Sequence, residues 1–240
     1  HAARYERQAK QLSKLIIPTF WNAEKGAMMH HTKGGQLQDE VTRYANMFAV
    51  LYDILDESQR QSVLKNVLQN DSVMKITTPY MRFYELEALC ALGQQKQVMD
   101  EMRSYWGGML AQGATTFWET YDPKEGYPKR LAMYGNRYGK SLCHAWGASP
   151  VYLLGKYYLG VRPTKPGYAE WECRPCLGDL KWMKGDVPTP HGNIHIEMTR
   201  KQITIDSKGC GPGKLIIGQK EVMVNPDQRI VVSLRSLHLR

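Results

Sequence analysis

The chain has 240 residues, 42% apolar and 23% charged, an ordinary globular composition with material for one large or two average cores. Its net charge of +9, from 32 Lys and Arg against 23 Asp and Glu, is scattered and carries no nucleic-acid motif, so it reads as a solvated basic surface with no nucleic-acid partner. No apolar run approaches the ~20 residues that span a bilayer, so no membrane partner is expected.

The N-terminus, His1-Ala-Ala-Arg-Tyr-Glu-Arg-Gln, is polar and helical in pattern rather than a signal peptide. Without an initiator Met the chain reads as a piece of something longer. Tyr5, Leu12, Leu15, Ile16 and Phe20 predict a first helix over about 2–20, kinked or ended by Pro18. Glu24-Lys25-Gly26 signals a turn between short extended pieces. Leu37, Val41, Tyr44, Phe48, Leu51, Ile54 and Leu55 form an apolar stripe over about 36–55, a second helix. A third is expected over about 57–69 with Asp56 or Ser58 as cap. Thr77-Thr78-Pro79 should open a fourth, ending near Gly93. A fifth, about 96–106, should stop at Gly107-Gly108.

From Gly113 to Lys140 the chain is rich in Gly, Pro, Tyr and charge, a long loop of the kind that tends to be functional. A sixth helix is expected over about 141–159. After Arg162-Pro163-Thr164-Lys165-Pro166-Gly167 the period changes to alternation. Short strands are predicted around Trp171, Leu180, Ile194, Gln202, Lys214 and Arg229, separated by Gly, Pro and Asn. The chain thus divides into a helical domain, 1–160, and an all-β sandwich, 161–240. Five or six helices are too few to close a twelve-helix toroid and amount to about half of one.

Five Cys is an odd number. Cys90 and Cys143 lie in helical apolar patterns and read as buried thiols. Cys173 and Cys176, with His191 and His195, approximate a zinc-finger spacing. The two His, however, sit in a Pro- and Gly-containing segment that alternates like a strand, so no metal site and no cofactor is expected. No helix follows the C-x-x-C pair, which argues against a thioredoxin-type role.

Gly113-Ala-Thr-Thr-Phe-Trp-Glu119 sets a carboxylate beside an aromatic ring at the head of the loop. Sugar sites use this mix, the ring packing on C–H groups while carboxylates handle protons. On composition alone, a surface Glu beside a core Trp is the favoured reading, since paired carboxylates are common.

Four segments then carry a resemblance. Ala114-Thr115-Thr116-Phe117-Trp118-Glu119 resembles the A-T-T-x-W-E signature of glycoside hydrolase family 78, the α-L-rhamnosidases. Ser141-Leu142-Cys143-His144-Ala145-Trp146-Gly147 is similar to its S-L-N-H-Y-x-x-G segment. Leu159-Gly160-Val161-Arg162-Pro163 with Pro166-Gly167-Tyr168 resembles its G-I-R-P-x-x-P-G-Y junction, and Thr77-Thr78-Pro79-Tyr80 its T-P-Y helix start. All four keep order across Thr77 to Pro190; the remainder matches only in helical or β pattern.

The resemblance implies a partial (α/α)6 toroid followed by a β-sandwich. It implies a carbohydrate ligand and inverting hydrolysis of terminal α-L-rhamnosyl linkages by an exported parent. Glu119 would be the general base, His144 a contact to the sugar hydroxyls, and Trp118 and Tyr80 the pocket wall. The general acid of the family lies upstream of the matched segments, and nothing before Thr77 resembles it. The isolated chain is therefore expected to be inactive or nearly so. Cys143 replaces an Asn and Trp146, at a frequent Tyr position, reads as core. Asp39, Glu40 and Arg43 read as a solvated helix face, Asp122 and Glu125 as loop charges. Two alternatives stay open: a non-catalytic carbohydrate-binding or scaffold derivative, and a toroid glycosidase acting on another sugar.

Overall fold

A computed structural model describes residues 1–234; the last six residues of the β domain lie outside the described residues. The chain forms two units, His1–Ser149 and Pro150–Arg240.

The first unit is helical. α1 (Ala2–Phe20) carries Tyr5, Leu12 and Leu15 on its exposed surface, and Pro18 lies in its last turn, before extended Trp21 ends it. The hairpin of β1 (Trp21–Asn22) and β2 (Ala27–Met28) follows. Its turn residue Gly26 has φ +59°, and a Cβ there would strike the Ser62 side chain.

The expected second helix begins later than its stripe. Residues 29–41 instead fold back on themselves, with His30 N–H donating to Glu40 O (2.8 Å) and Gln38 N–H to His31 O (3.0 Å). At the tip β3 (Thr32–Lys33) pairs with β4 (Gln36–Leu37) across Gly34-Gly35, both at positive φ. Two such glycines make the tight turn that matches strand twist, and the cross-strand bonds take backbone groups a helix would need. α2 is thereby confined to Arg43–Leu51. Asn46 is fully buried and ties the hairpin to α2: its Oδ1 accepts from Met28 N–H (2.8 Å) and its Nδ2 donates to Met28 O (2.9 Å).

α3 (Glu57–Val63) starts at a reciprocal cap in which Asp56 Oδ1 accepts from Gln59 N–H and Gln59 Oε1 from Asp56 N–H. This satisfies two donors that helix ends leave orphaned. The helix continues as a π-turn, Leu64–Leu68. α4 (Pro79–Ala91) opens with Pro79 in its first turn, as read from the sequence.

α5 (Gln95–Ala111) runs through Gly107-Gly108 rather than stopping there. Gly108 serves close packing: a Cβ would meet Tyr121 Cζ at 2.6 Å. The stop is Gly113, at φ +88°. α2 packs on α4 and α4 on α5, around Met47, Val50, Val63, Val67, Leu86, Leu89 and Val98. Arg43, expected on a solvated face, is buried and paired with Glu85, and donates to Leu68 O (2.7 Å) and Asn70 O (3.0 Å).

The expected helix over 141–159 is shorter. Residues 145–147 form a 3-10 turn, and α6 (Ser149–Leu153) continues as a π-turn, Leu154–Leu159. Cys143, expected to be buried, is exposed because its segment is not helical.

In the second unit the π-turn packs on β5 (Val161–Pro163) and β7 (Trp182–Thr189). One sheet orders β11 (Lys220–Val224), β10 (Gly213–Ile217), β6 (Trp171–Cys173) and β5 (Val161–Pro163). The other orders β12 (Arg229–Ser233), β9 (Gln202–Asp206), β8 (Gly192–Thr199) and β7 (Trp182–Thr189). Ile194 and Ile196 of β8 and Ile203 and Ile205 of β9 are fully buried, as are Trp171 and Leu215. His195 points outward to Asp186 across the β7–β8 pair (3.0 Å). Cys173 is buried, and burial pushes its thiol pKa up.

Candidate active site

α5 ends at Ala111, and after Gly113 the backbone turns toward the segment before α6. Glu119 N–H donates to Ser141 O (2.9 Å), His144 N–H donates to Phe117 O (2.8 Å), and the Thr116 hydroxyl donates to Leu142 O. The two segments singled out in the sequence, 113–119 and 141–147, are thus hydrogen-bonded side by side. Gly147 permits the approach, since a Cβ there would lie 2.9 Å from Trp118 O. Trp106 anchors the assembly to α5 by donating Nε1–H to Gly147 O (2.7 Å).

Glu119 is 4% exposed. Its Oε2 accepts from Ser141 N–H (3.0 Å) and its Oε1 from Tyr134 Oη (2.7 Å). The Ser141 amide, then the Tyr134 hydroxyl, then the charge fields of His144 and Lys140 hold its carboxyl below the usual Glu range, against the opposing effect of burial. A carboxylate has about four lone-pair positions, and two are used here, leaving acceptor capacity for a water. Lys140 is buried and paired with Glu125 (3.5 Å).

His144 is half-buried and caps the 3-10 turn rather than sitting on a helix. Its ring centroid lies 4.2 Å from that of Trp146, and Trp146 stacks on Tyr80 at 5.5 Å and 28°. Trp146, expected in the core, is 42% exposed, and Tyr80 is 45% exposed. Trp118 is buried. Glu119, His144, Trp146 and Tyr80 therefore form one neighbourhood. Tyr134 lies outside the matched segments, and Ser141 lies inside one without a role of its own. The one available signal for Tyr134 is its turn dipeptide with Gly135; for Ser141 it is membership of the matched 141–147 segment, which does not announce that its amide is the working group. A separate cleft of about 280 Å³ is lined by Arg43, Arg82, Glu85 and Glu101, whose charges are paired among themselves.

Residues 1–158 match the model of the bacterial alpha-L-rhamnosidase 6 hairpin glycosidase domain, and residues 160–207 that of the bacterial alpha-L-rhamnosidase C-terminal domain. Among solved structures, the GH78 rhamnosidase of Bacillus sp. GL1 is 29% identical with a TM-score of 0.66, over 85% of this chain and 21% of that one. The rhamnosidase of Klebsiella oxytoca, solved with rhamnose bound, is 25% identical with a TM-score of 0.52, over 65% and 29%. The α-L-rhamnosidase of Aspergillus terreus shares the fold at 16% identity and a TM-score of 0.76, over 98% and 27%. The chain thus spans less than a third of each of these relatives. No curated protein matches it.

Proposed function

The chain belongs to the bacterial α-L-rhamnosidase six-hairpin glycosidase family, and on that premise we propose that it supplies the general base and part of the sugar pocket of an inverting α-L-rhamnosidase. Its helical part, to about residue 160, is the C-terminal portion of the catalytic toroid. The ligand is the terminal rhamnosyl unit of a glycan or glycoside.

The observation that carries this reading is the state of Glu119. Its carboxyl is held ionised by two donors and retains lone pairs for a water. In inversion one carboxylate activates water on one face of the sugar while an acid ~6.5–9.5 Å away protonates the leaving oxygen. We assign that acid to a part of the toroid outside this chain. The half-exposed faces of Tyr80 and Trp146 supply the wall for the C–H side of the ring. His144, touching Trp146 and acting on Glu119, is positioned to meet hydroxyls. Trp118, expected in the pocket wall, is 5% exposed and offers little open face, so the wall falls to Tyr80 and Trp146.

The test is Glu119→Gln in the full-length protein. Hydrolysis of an aryl α-L-rhamnoside should fall by about 10²–10⁴-fold or more, while L-rhamnose binding persists; surviving hydrolysis would sink the base assignment. The 240-residue chain alone should turn over no aryl rhamnoside, and turnover would overturn the assignment of the acid. One observation favours a second reading, a different sugar: Cys143, exposed beside His144, stands where the family pattern has Asn. A panel of aryl glycosides separates the two.

A further inference from the structure

We propose that His30, His31 and Glu40 bind a divalent transition-metal ion of the zinc class, a site independent of the sugar chemistry. The three side chains each offer one ligand atom, and these atoms lie within 4.8 Å of one another.

His31 Nδ1 and Glu40 Oε2 are 3.4 Å apart. That is longer than an ordinary N–H···O hydrogen bond. It is close to the roughly 3.3 Å edge of a tetrahedron whose ligands sit at about 2.0–2.1 Å from zinc. His30 is oriented differently: its Nδ1 is 3.0 Å from Thr42 Oγ1. Engaging that nitrogen leaves Nε2 to face a metal, and an outer hydrogen-bond partner of this kind is how ligating imidazoles are usually fixed.

The frame is held on both strands. His30 N–H donates to Glu40 O (2.8 Å), Met29 N–H donates to Phe20 O (2.8 Å), and Met29 bridges Val41. Neighbouring residues on a regular strand face opposite ways. Here the two His rings approach edge to face, with centroids 5.4 Å apart, so both reach one side.

Two imidazoles and one carboxylate select zinc, nickel or copper over the oxygen-seeking calcium and magnesium. Three protein ligands leave a fourth position for water. A bound ion would clip the ends of the 31–40 excursion together immediately before α2, adding a second fastening to that of Asn46.

The test is calorimetric titration of the metal-free chain with Zn²⁺. One equivalent should bind with a Kd of about 10 µM or tighter. His30→Ala/His31→Ala and Glu40→Gln should each weaken binding at least tenfold, and Thr42→Val about tenfold through loss of the outer partner. His1 and the outward-facing His195–Asp186 pair are rival chelators, so His1→Ala and His195→Ala should leave binding unchanged. Circular dichroism checks folding; if the double variant unfolds, Glu40→Gln and Thr42→Val carry the comparison. The proposal is overturned by absent saturable binding up to about 100 µM, by binding that these three variants retain, or by binding lost with His1→Ala or His195→Ala.

Discussion

Tyr134 Oη donates to Glu119 Oε1 over 2.7 Å from a backbone at φ +53°, in the tight turn Tyr134-Gly135 that closes the Met133–Asn136 pair. A turn with positive φ at both central residues prefers Asn or Asp at the first of them. A Tyr there costs roughly 1–2 kcal/mol, and the strain has a visible return in the bond to the carboxylate. Tyr134→Phe removes that bond. The Glu119 carboxyl then loses its second-largest stabilisation and its pKa rises toward the ordinary ~4.3. A base works ionised and fails as pH falls through its folded pKa. If Glu119 is the base proposed above, the acidic limb of kcat/KM for the full-length protein should therefore move to higher pH, with the plateau little changed. The same sign holds for stability. Glu119 contributes above the unfolded pKa and loses that contribution as pH falls through its depressed value, and the variant narrows this window. An unmoved acidic limb would show that the Tyr134 hydroxyl does not tune the base.

Trp146 stacks on Tyr80 and touches His144 with its ring half open. If that face holds a sugar ring, Trp146→Ala should remove about 0.5–1.5 kcal/mol of binding, raising KM roughly 2- to 12-fold. Such a loss of uniform binding leaves kcat near its starting value. A fall in kcat with unchanged KM would instead put the ring in support of Glu119 or His144.

The contrast between Arg43 and Asp56 shows what a sequence conveys. Asp56 caps α3 through atoms three residues apart, so its pattern is local and was legible. The stripe at 37–55 was also local, but Gly34-Gly35 and the pairing of His30 with Glu40 claimed its first third. Likewise 141–144 reads helical until 116–119 takes its hydrogen bonds. Glu119 and His144 were found through motif resemblance. Ser141 acts on Glu119 through a backbone amide, which no residue identity announces, and Arg43 was read as surface because its partner Glu85 is 42 residues away.

Arg43 and Glu85 are 3% and 7% exposed. Burial raises the Glu85 pKa despite attraction from Arg43 and Arg82. Removing one member of such a pair typically costs about 3–5 kcal/mol, and Arg43→Met should lose that much at neutral pH. The pH dependence has a definite sign. A buried carboxyl with raised pKa binds more protons folded than unfolded, so stability falls as pH rises from the unfolded toward the folded pKa. Without Arg43 the raise is larger. The deficit of Arg43→Met in urea unfolding should therefore be smaller at pH 4.5 than at pH 7.5. Replacing Glu85 by Leu as well should recover much of the loss. Equal deficits at both pH values would mean the lost carbonyl bonds of Arg43, rather than the stranded charge, set the cost.

Gly107 and Gly108 are adjacent in α5, yet they should respond oppositely to alanine. Nothing lies within 4 Å of a Cβ built on Gly107, so Gly107→Ala gains only helix propensity, about 0.5–1 kcal/mol. At Gly108 a Cβ would meet Tyr121 Cζ at 2.6 Å and Cε1 at 2.7 Å. That ring is flanked by Tyr105, whose hydroxyl accepts from Tyr121 N–H (3.1 Å) and donates to Thr77 O (2.7 Å). Burial pushes the Tyr105 pKa up to about 12, so the hydroxyl stays a donor through the neutral range. The Tyr121 ring meets Tyr105 edge to face with centroids 5.5 Å apart, which blocks retreat on that side, and overpacking costs typically ~1–3 kcal/mol. This exceeds the propensity gain, so Gly108→Ala should unfold at lower urea than wild type and Gly107→Ala at higher. Circular dichroism at a helical wavelength follows both, and a shift of the same sign in the two would mean that Tyr121 moves aside.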